Sequence, residues 1–474
     1  MTAGFLPPTC PRTRCWHMAS PIDHRPTTDI RTVRRAGAIG NFIEYFDNAL
    51  YGFFAVTIAQ LFFPEVDPVV GLLSTFALFG VSFVVRPLGA IVFGHIGDRW
   101  GRKTVLISSI LMMSLATAVI GMLPTYSAVG ILAPVLLLLC RLLQGFSTGG
   151  ESTTAFVLVV EHSPVATRAR NATPLIASTI GASVIASLTA MLISSLVSTE
   201  QINAWVWRIP FALAIPLGIV GLILRMKVDD ADVYKAAAEI SHVIKSDDNS
   251  HRSPLVQAFR VAKKRMFVLF LWVALQATAG YITVAYMATN LMHFEGHSKT
   301  SAYAIVVISL GVACAAVFPI GRLADRTSRK RFAMTLAAGL VAWSYPTFVM
   351  AGHGVVVATI GLAIFATLQY STMIAAGLAV VELFPVDIRA SASAFPYALG
   401  FAIFGGTAPL VATWLASEFS PTAPAFYVMI CAIGGFFVGW LGLPNASEMA
   451  VLSEDDGIAL DTREREVAEA EPTR

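Results

Sequence analysis

Charged residues are scarce in this chain: Asp, Glu, Lys and Arg together make up 13% of its 474 residues, where a soluble domain carries about 25%. With 56% of residues hydrophobic, that scarcity excludes a water-soluble globular protein, because the apolar runs have no charged face to turn to solvent. Cysteine is sparse too. Cys10 and Cys15 lie in a polar N-terminal stretch and Cys140, Cys314 and Cys431 in apolar runs, which excludes a disulfide framework and reads as buried free thiols. No G-x-x-x-x-G-K-[ST] loop occurs, so nothing supports ATP drive. H-E-x-x-H, C-x-x-C and a Ser/His/Asp signature are missing as well, so no enzyme chemistry, metal or cofactor is expected. The N-terminus has arginines but no apolar h-region, so no signal peptide is expected, and either Met1 or Met18 can serve as the start.

What is present is a series of long apolar runs. They fall at 36–62, 71–94, 104–123, 129–158, 171–197, 205–225, 266–292, 301–321, 332–351, 355–381, 391–416 and 422–443. A membrane-spanning helix needs about 20 apolar residues, and backbone groups must be paired within lipid. The runs are too long for strands and lack period-two alternation, so they predict helices. The fold class expected is an all-α integral membrane protein with twelve transmembrane helices in two pseudo-symmetric six-helix halves. The organisation is a tail over 1–35, a first half over 36–225, a polar central loop over 226–262, a second half over 263–443 and an acidic tail over 444–474. The last stretch, from 445, holds nine acidic and three basic residues.

Lys and Arg set the orientation. With the N-terminus inside, the inner loops hold Arg99, Arg102, Lys103, Arg168, Arg170, Arg322, Arg326, Arg329, Lys330, Arg331 and Arg389, whereas the outer loops hold only Lys299, with Arg208 near an outer helix end. Both termini are therefore expected in the cytoplasm. Trp205 and Trp207 are expected at the outer interface, where indole rings are enriched. The basic stretches are loops at the membrane surface, so no nucleic-acid partner is expected.

Two motifs repeat across the halves. Gly94-His95-Ile96-Gly97-Asp98-Arg99-Trp100-Gly101-Arg102-Lys103 returns as Gly321-Arg322-Leu323-Ala324-Asp325-Arg326-Thr327-Ser328-Arg329-Lys330, 227 residues later, with Gly, Asp, Arg, Arg and Lys at identical offsets. Glu161-x-x-Pro164 with Arg168 returns as Glu382-x-x-Pro385 with Arg389, 221 residues later. Two unrelated motifs at nearly one spacing argue for a duplicated fold. Asp98 and Asp325 are expected to pair with basic groups and helix N-termini on the inner surface, as contacts that hold a gate in one state and break in the other. Glu161/Arg168 and Glu382/Arg389 read as similar latches. Ser328 stands where the first loop has Gly101, so a looser turn is expected there.

Each ionisable group inside a span costs a few kcal/mol on insertion scales and needs an account. Glu44 and Asp47 stand at i and i+3 in the first run, about 4.5 Å apart in rise and on one helix face. Two carboxylates in a dry cavity do not both ionise easily, which suits a site that gains and loses a proton; solvation near a helix end or pairing with a basic loop residue is the other reading. Asp47, deeper in the run, is the stronger proton candidate. Arg86, followed by Pro87 in the second run, either pairs with one of these carboxylates or grips a carboxylate substrate through two parallel hydrogen bonds. In the fourth run, Arg141 is expected in the cavity or at a helix crossing, Gly145 and Gly149 form a G-x-x-x-G contact face, and Glu151 is either a proton or gating group or a structural partner of an inner-loop base. In the second half Gln276, Tyr281, Tyr286, Gln369 and Tyr397 are candidate wall residues for substrate, with ordinary interhelical bonding as the alternative for each.

These residues resemble a known family. The two basic loops, after the second and eighth runs, resemble the signature loops of the major facilitator superfamily, and the likeness extends from about 36 to 443. Gly40-Asn41-Phe42 with Glu44 and Asp47, Arg86-Pro87 with Gly89, Arg141 to Glu151, and Trp207-Arg208-Ile209-Pro210-Phe211 resemble its metabolite:proton symporter branch, whose members carry organic acids or zwitterions such as proline and betaine in bacterial inner membranes. The resemblance implies proton-coupled uptake of a small metabolite by alternating access, with protons and a small-molecule substrate as partners, in a functional monomer of the cell membrane. An organic acid is the expected cargo; a zwitterion such as proline or betaine, an exporter, or a membrane ligand sensor without transport are the alternatives. The sequence departs from that branch at Asn48-Ala49-Leu50, after Asp47, and lacks the C-terminal coiled coil of its osmosensing members.

Overall fold

A computed structural model describes residues 30–100, 102–148, 156, 159–160, 163–227, 254–384 and 389–442. Twelve spanning helices run through these residues. In the first half they are α1 (Ile30–Phe53, continued by Ala55–Phe62), α2 (Pro68–Trp100), α3 (Arg102–Met122), α4 (Leu132–Thr148), α5 (Arg168–Leu196) and α6 (Arg208–Ala212 and Ala214–Lys227). The second half comprises α7 (Pro254–Tyr281, prolonged to Phe294), α8 (Lys299–Arg326), α9 (Arg329–Ala351), α10 (Val355–Glu382), α11 (Arg389–Gly400, prolonged to Glu418) and α12 (Pro424–Gly442).

Among the described residues, eight of the helices are long and apolar enough to cross a membrane, and Ile107–Met122, Leu132–Thr148 and Pro424–Trp440 are shorter apolar helices. The remaining span, α1, is interrupted at Phe54 and carries the paired carboxylates, which is why it falls short on apolarity. Helix α2 is the opposite case. Its 33 residues reach about 50 Å at 1.5 Å per residue, more than the hydrocarbon thickness of about 30 Å. It therefore carries Gly94, Asp98 and Arg99 beyond the apolar layer, at the end of the molecule that also bears both ends of the described chain.

The apolar side chains divide between a core and an outer surface. Phe53, Phe62, Phe76, Phe79, Phe83 and Phe211 are fully buried, while Ile91, Leu115, Ile131, Val356 and Ile430 face outward, as a lipid solvent allows. Between the halves, α5 packs along α8, α2 along α11, and α1 against the prolonged end of α7. At the α2–α4 crossing, a Cβ added to Gly145 would stand 1.9 Å from the Ser82 carbonyl oxygen, and one added to Gly89 would stand 1.9 Å from that of Phe146. Both positions need glycine for this backbone approach, the small-residue packing of membrane helices. Gly145→Val should therefore force the helices apart at a cost above the 1–3 kcal/mol or so of ordinary overpacking, and yield little monodisperse protein on size-exclusion chromatography; a wild-type elution profile would refute the close crossing.

Irregular backbone marks α7 and α11, as well as the π-helical turn at Ile202–Val206 that leads into α6. Helix α7 is bent at Ala262 (φ −122°, ψ 16°), which separates a short loop-side segment starting at Pro254 from the span itself. It then widens into π-helical turns at Ile282–Tyr286 and Asn290–Phe294, and α11 does the same at Phe401–Gly405, five residues after Pro396. Such π turns recur at functional sites.

One sequence expectation needs correction. Trp207 is fully buried, edge-on to Phe62 at 5.8 Å and Phe211 at 6.0 Å, so it is a core residue of the first half. Trp205 is exposed.

Candidate functional site

Four charged side chains meet in the middle portions of α1, α2 and α4. On α1, Glu44 and Asp47 are both buried and turn to different neighbours. Glu44 Oε1 lies 3.2 Å from Arg86 Nη1 on α2. Arg86 also lies over the Phe83 ring, 4.1 Å from its centroid, which is the i−3 neighbour on its own helix. Of the two readings of Arg86, pairing with a carboxylate is the one seen, yet its buried Nε has no partner, so a donor remains.

Asp47 is held by neutral groups. Its Oδ1 accepts from Thr117 Oγ1 at 2.5 Å and from Gln144 Nε2 at 2.8 Å. Gln144 in turn accepts from Arg141 Nη1 at 2.8 Å, so an amide stands between the carboxylate and the guanidinium. Arg141 is fully buried, lies 4.1 Å from the Tyr51 ring centroid and 5.1 Å from that of Phe79, and reaches Ser82 Oγ at 3.5 Å. Two aromatic faces replace water around this cation. Thr117 and Gln144 carry much of this geometry. Gln144 is a polar residue one helical turn after Arg141, a signal open to sequence reading; Thr117 is one of several hydroxyl residues in an apolar run and offered none.

The second half contributes an aromatic and amide wall. Tyr281 on α7 packs on Phe83 at 5.0 Å and on Phe401 at 6.1 Å, and Phe401 stacks on Tyr397 at 4.9 Å. The Tyr281 hydroxyl adjoins Arg86, and the Tyr397 hydroxyl adjoins Gln276. Gln369 on α10 packs against Gly280, one turn beyond Gln276. Arg86, Tyr281, Tyr397, Gln276 and Gln369 are thus brought into one region. Tyr286 is not: its hydroxyl donates to Asn290 Oδ1 at 3.0 Å on its own helix, toward the far end of α7.

At the end bearing the termini, the halves are tied by carboxylates. Asp325 at the end of α8 accepts from the backbone N–H of Ala169 at 2.9 Å and of Arg170 at 3.0 Å, the first turn of α5. There it satisfies two otherwise orphaned helix-terminal donors and meets the positive end of the dipole. Glu382 at the end of α10 takes both Nε and Nη2 of Arg329, at 3.1 and 3.3 Å, and Nη1 of Arg168 at 3.4 Å. The pairing therefore crosses between the motif copies: Arg168 of the first meets Glu382 of the second, while Arg389 Nε donates to the Phe384 carbonyl at 3.2 Å. The looser turn expected at Ser328 is also corrected, since Ser328 caps α9 and accepts from the Arg331 N–H. Gly321 packs its open face against Thr173 of α5. Arg326 ends α8 and Lys330 lies in the first turn of α9; among the described residues neither ties the halves together. Arg102 and Lys103 open α3. Gly101, Glu151 and Glu161 lie outside the described residues. At the opposite end Tyr303 on α8 donates to the Phe53 carbonyl of α1 at 2.7 Å, so cross-half contacts exist at both ends.

This arrangement can be set beside known proteins. The sequence model of the Major Facilitator Superfamily matches residues 37–395. The chain belongs to the Major Facilitator Superfamily. Similar curated proteins include the glycine betaine/proline/ectoine/pipecolic acid transporter OusA of Dickeya dadantii, 34% identical over 86% of this chain and 82% of that one. The proline/betaine transporter of Salmonella typhimurium is 34% identical over 86% and 83%, and a putative proline/betaine transporter of Staphylococcus aureus 33% identical over 85% and 86%. Among solved structures, the proton:xylose symporter XylE bound to 6-bromo-6-deoxy-D-glucose gives a TM-score of 0.67 over 89% of this chain and 98% of that chain, at 15% identity. Inward-open XylE from E. coli gives 0.64 over 90% and 100%, also at 15%. These two speak for the fold alone.

As a major facilitator the protein is a multi-pass membrane transporter of small molecules and not an enzyme. In such transporters the two halves are parallel repeats, and substrate and coupling-ion sites lie near the bilayer midplane between them. Here the Glu44–Arg86 and Asp47–Gln144–Arg141 groups of the first half face Tyr281 of the second across Phe83.

Proposed function

We propose that this chain carries a small zwitterion of the proline or betaine kind into the cell together with a proton, by alternating access, from an inner membrane with both termini cytoplasmic. The observation that carries the cargo class is the Glu44–Arg86 pair beneath an aromatic wall. The region is already balanced, with two carboxylates and two guanidiniums. An organic di- or tricarboxylate would add charge that no free cation among the described residues offsets, and burying uncompensated charge is costly. A zwitterion is instead the complementary dipole: its carboxylate meets Arg86, including the unpartnered Nε, and its ammonium meets Glu44 and the faces of Phe83, Tyr281 and Tyr397. The relatives at 32–34% identity named for proline and betaine support the same class. The organic acid expected from sequence gives way on both grounds for a di- or tricarboxylate, and on the second ground for a monocarboxylate.

Asp47 is the proton site in this proposal, with Glu44 tied to substrate through Arg86. Asp325 and Glu382 hold the cytoplasmic end shut between the halves and release when it opens. The fold and an excess of basic residues at the terminal end support that orientation.

The test is transport current in proteoliposomes under an inward proton gradient, with proline and betaine set against 2-oxoglutarate, citrate and shikimate. Current with a zwitterion supports the reading; current with an organic acid alone overturns it. Arg86→Lys keeps the charge but loses the planar donor fork. A charge-assisted hydrogen bond contributes about 1.5–3 kcal/mol, so KM should rise roughly tenfold to a hundredfold; an unchanged KM would leave Arg86 a structural partner of Glu44.

A further inference from the structure

Gln276 and Gln369 are each 2% exposed, and the Oε1 atom of each is buried with no hydrogen-bond partner. Buried polar atoms are satisfied in more than nine cases in ten or so, and an exception calls for an explanation. Both amides are fixed by their other surroundings. Gln276 engages the Tyr397 hydroxyl. Gln369 Nε2 would stand 2.9 Å from a Cβ at Gly280, so the glycine leaves the space this amide fills. Gly280 lies one turn beyond Gln276 on the same face of α7, so the two amides flank one patch of that helix. Tyr281, the next residue, packs on Phe83, over which Arg86 lies. Two unpaired acceptors therefore adjoin the aromatic wall.

We infer that Gln276 and Gln369 read ammonium N–H groups, so that the site selects a secondary ammonium of the imino-acid type over a fully alkylated betaine. The inference rests on the zwitterion reading above and adds a rank order to it. With its carboxylate on Arg86, a zwitterion directs its nitrogen toward the aromatic wall and the amides beside it. A secondary ammonium has two N–H donors, the number of orphaned acceptors. A quaternary ammonium has none: its methyl groups suit the aromatic faces but leave both amide oxygens unsatisfied, with water excluded. Sites built to hydrogen-bond a substrate N–H reject analogues lacking it far more strongly than apolar pockets reject an added methyl. Each lost N–H is expected to weaken binding about tenfold, in line with an unsatisfied buried acceptor.

The experiment uses the wild-type protein first. Half-inhibition of labelled proline uptake is measured in proteoliposomes with proline, N-methylproline and N,N-dimethylproline, which present two, one and no N–H donors on one ring. The expected potency falls about tenfold at each step. Equal potency, or a reversed order, overturns the inference. Gln276→Leu and Gln369→Leu should then flatten the series, the proline KM rising about tenfold more than the KM for the dimethyl compound in each. Equal shifts for both compounds would assign the amides to packing or to a bound water, and overturn the inference even if proline remains a substrate. A folded wild-type protein that moves none of the three defeats the zwitterion reading itself. Robust uptake with a flat series defeats only the selectivity.

Discussion

Asp47→Asn is expected to abolish accumulation while leaving solute exchange intact. Asn keeps an oxygen to accept from Thr117 and Gln144, the two groups that hold Asp47 Oδ1 at 2.5 and 2.8 Å, so the local packing persists. What is lost is the ability to ionise. Taking up one proton with a neutral zwitterion moves one elementary charge, worth about 2.3 kcal/mol per 100 mV, or roughly a fifty-fold accumulation. In the variant the ratio should fall to about one, while counterflow from solute-loaded vesicles continues. Asp47 is chosen over Glu44 on geometry. Protonating Glu44 breaks the 3.2 Å contact with Arg86, whereas protonating Asp47 breaks no direct ion pair, because Gln144 stands between it and Arg141. If the variant still concentrated solute more than tenfold under a fixed potential, Asp47 would not be the coupling group.

How far the sequence reveals this arrangement depends on the kind of interaction. The spans, the two halves and the repeat were legible because lipid imposes a long apolar run on each helix, and a duplicated loop repeats at one spacing. The buried charges were legible for the same reason, since an arginine or carboxylate in an apolar run stands out. Their partners were not. Arg86 had two carboxylates within one helical turn to choose from, and only the rotation of α1 against α2 and α3 gives Glu44 to Arg86 and Asp47 to Thr117. Trp207 was misplaced because position relative to the bilayer does not say which side of a helix faces lipid. The two E-x-x-P-x-x-x-R motifs each invited a pairing within the motif. The repeat symmetry instead brings α5 beside α8 and α10, so Glu382 meets Arg168 of the other copy. Ser328 shows that a departure from a repeat can strengthen a turn: serine caps α9 where glycine would offer no side-chain acceptor.

Glu382→Gln should open the end of the bundle at which it ties the two halves. Among the described residues Glu382 is the single anion between Arg329 and Arg168, and its side chain is 6% exposed, against 13% for Arg329 and 21% for Arg168. Removing its charge leaves two guanidiniums facing each other in a largely dry contact, and breaking a buried pair costs about 3–5 kcal/mol. The partial exposure of Arg168 reduces this to about 2 kcal/mol, which is still roughly a thirty-fold shift between two states. The penalty falls on the closed state alone, because opening separates α5 from α8 and α10 and returns both arginines to water. Asp325 remains on the α5 N-terminus in the variant, so the shift measures the Glu382 contact by itself. Spin labels on exposed positions 170 and 326, introduced as Arg170→Cys and Arg326→Cys with the native cysteines replaced, report the separation of α5 and α8 at that end. The expected result is a second, longer distance population in Glu382→Gln that becomes the major one. An unchanged distance distribution would mean that Glu382 contributes no more than a surface pair, and that closure of this end rests on Asp325 and apolar packing. The same variant should retain exchange yet transport slowly against a gradient, because a carrier resting open at this end presents its site at the other end only rarely.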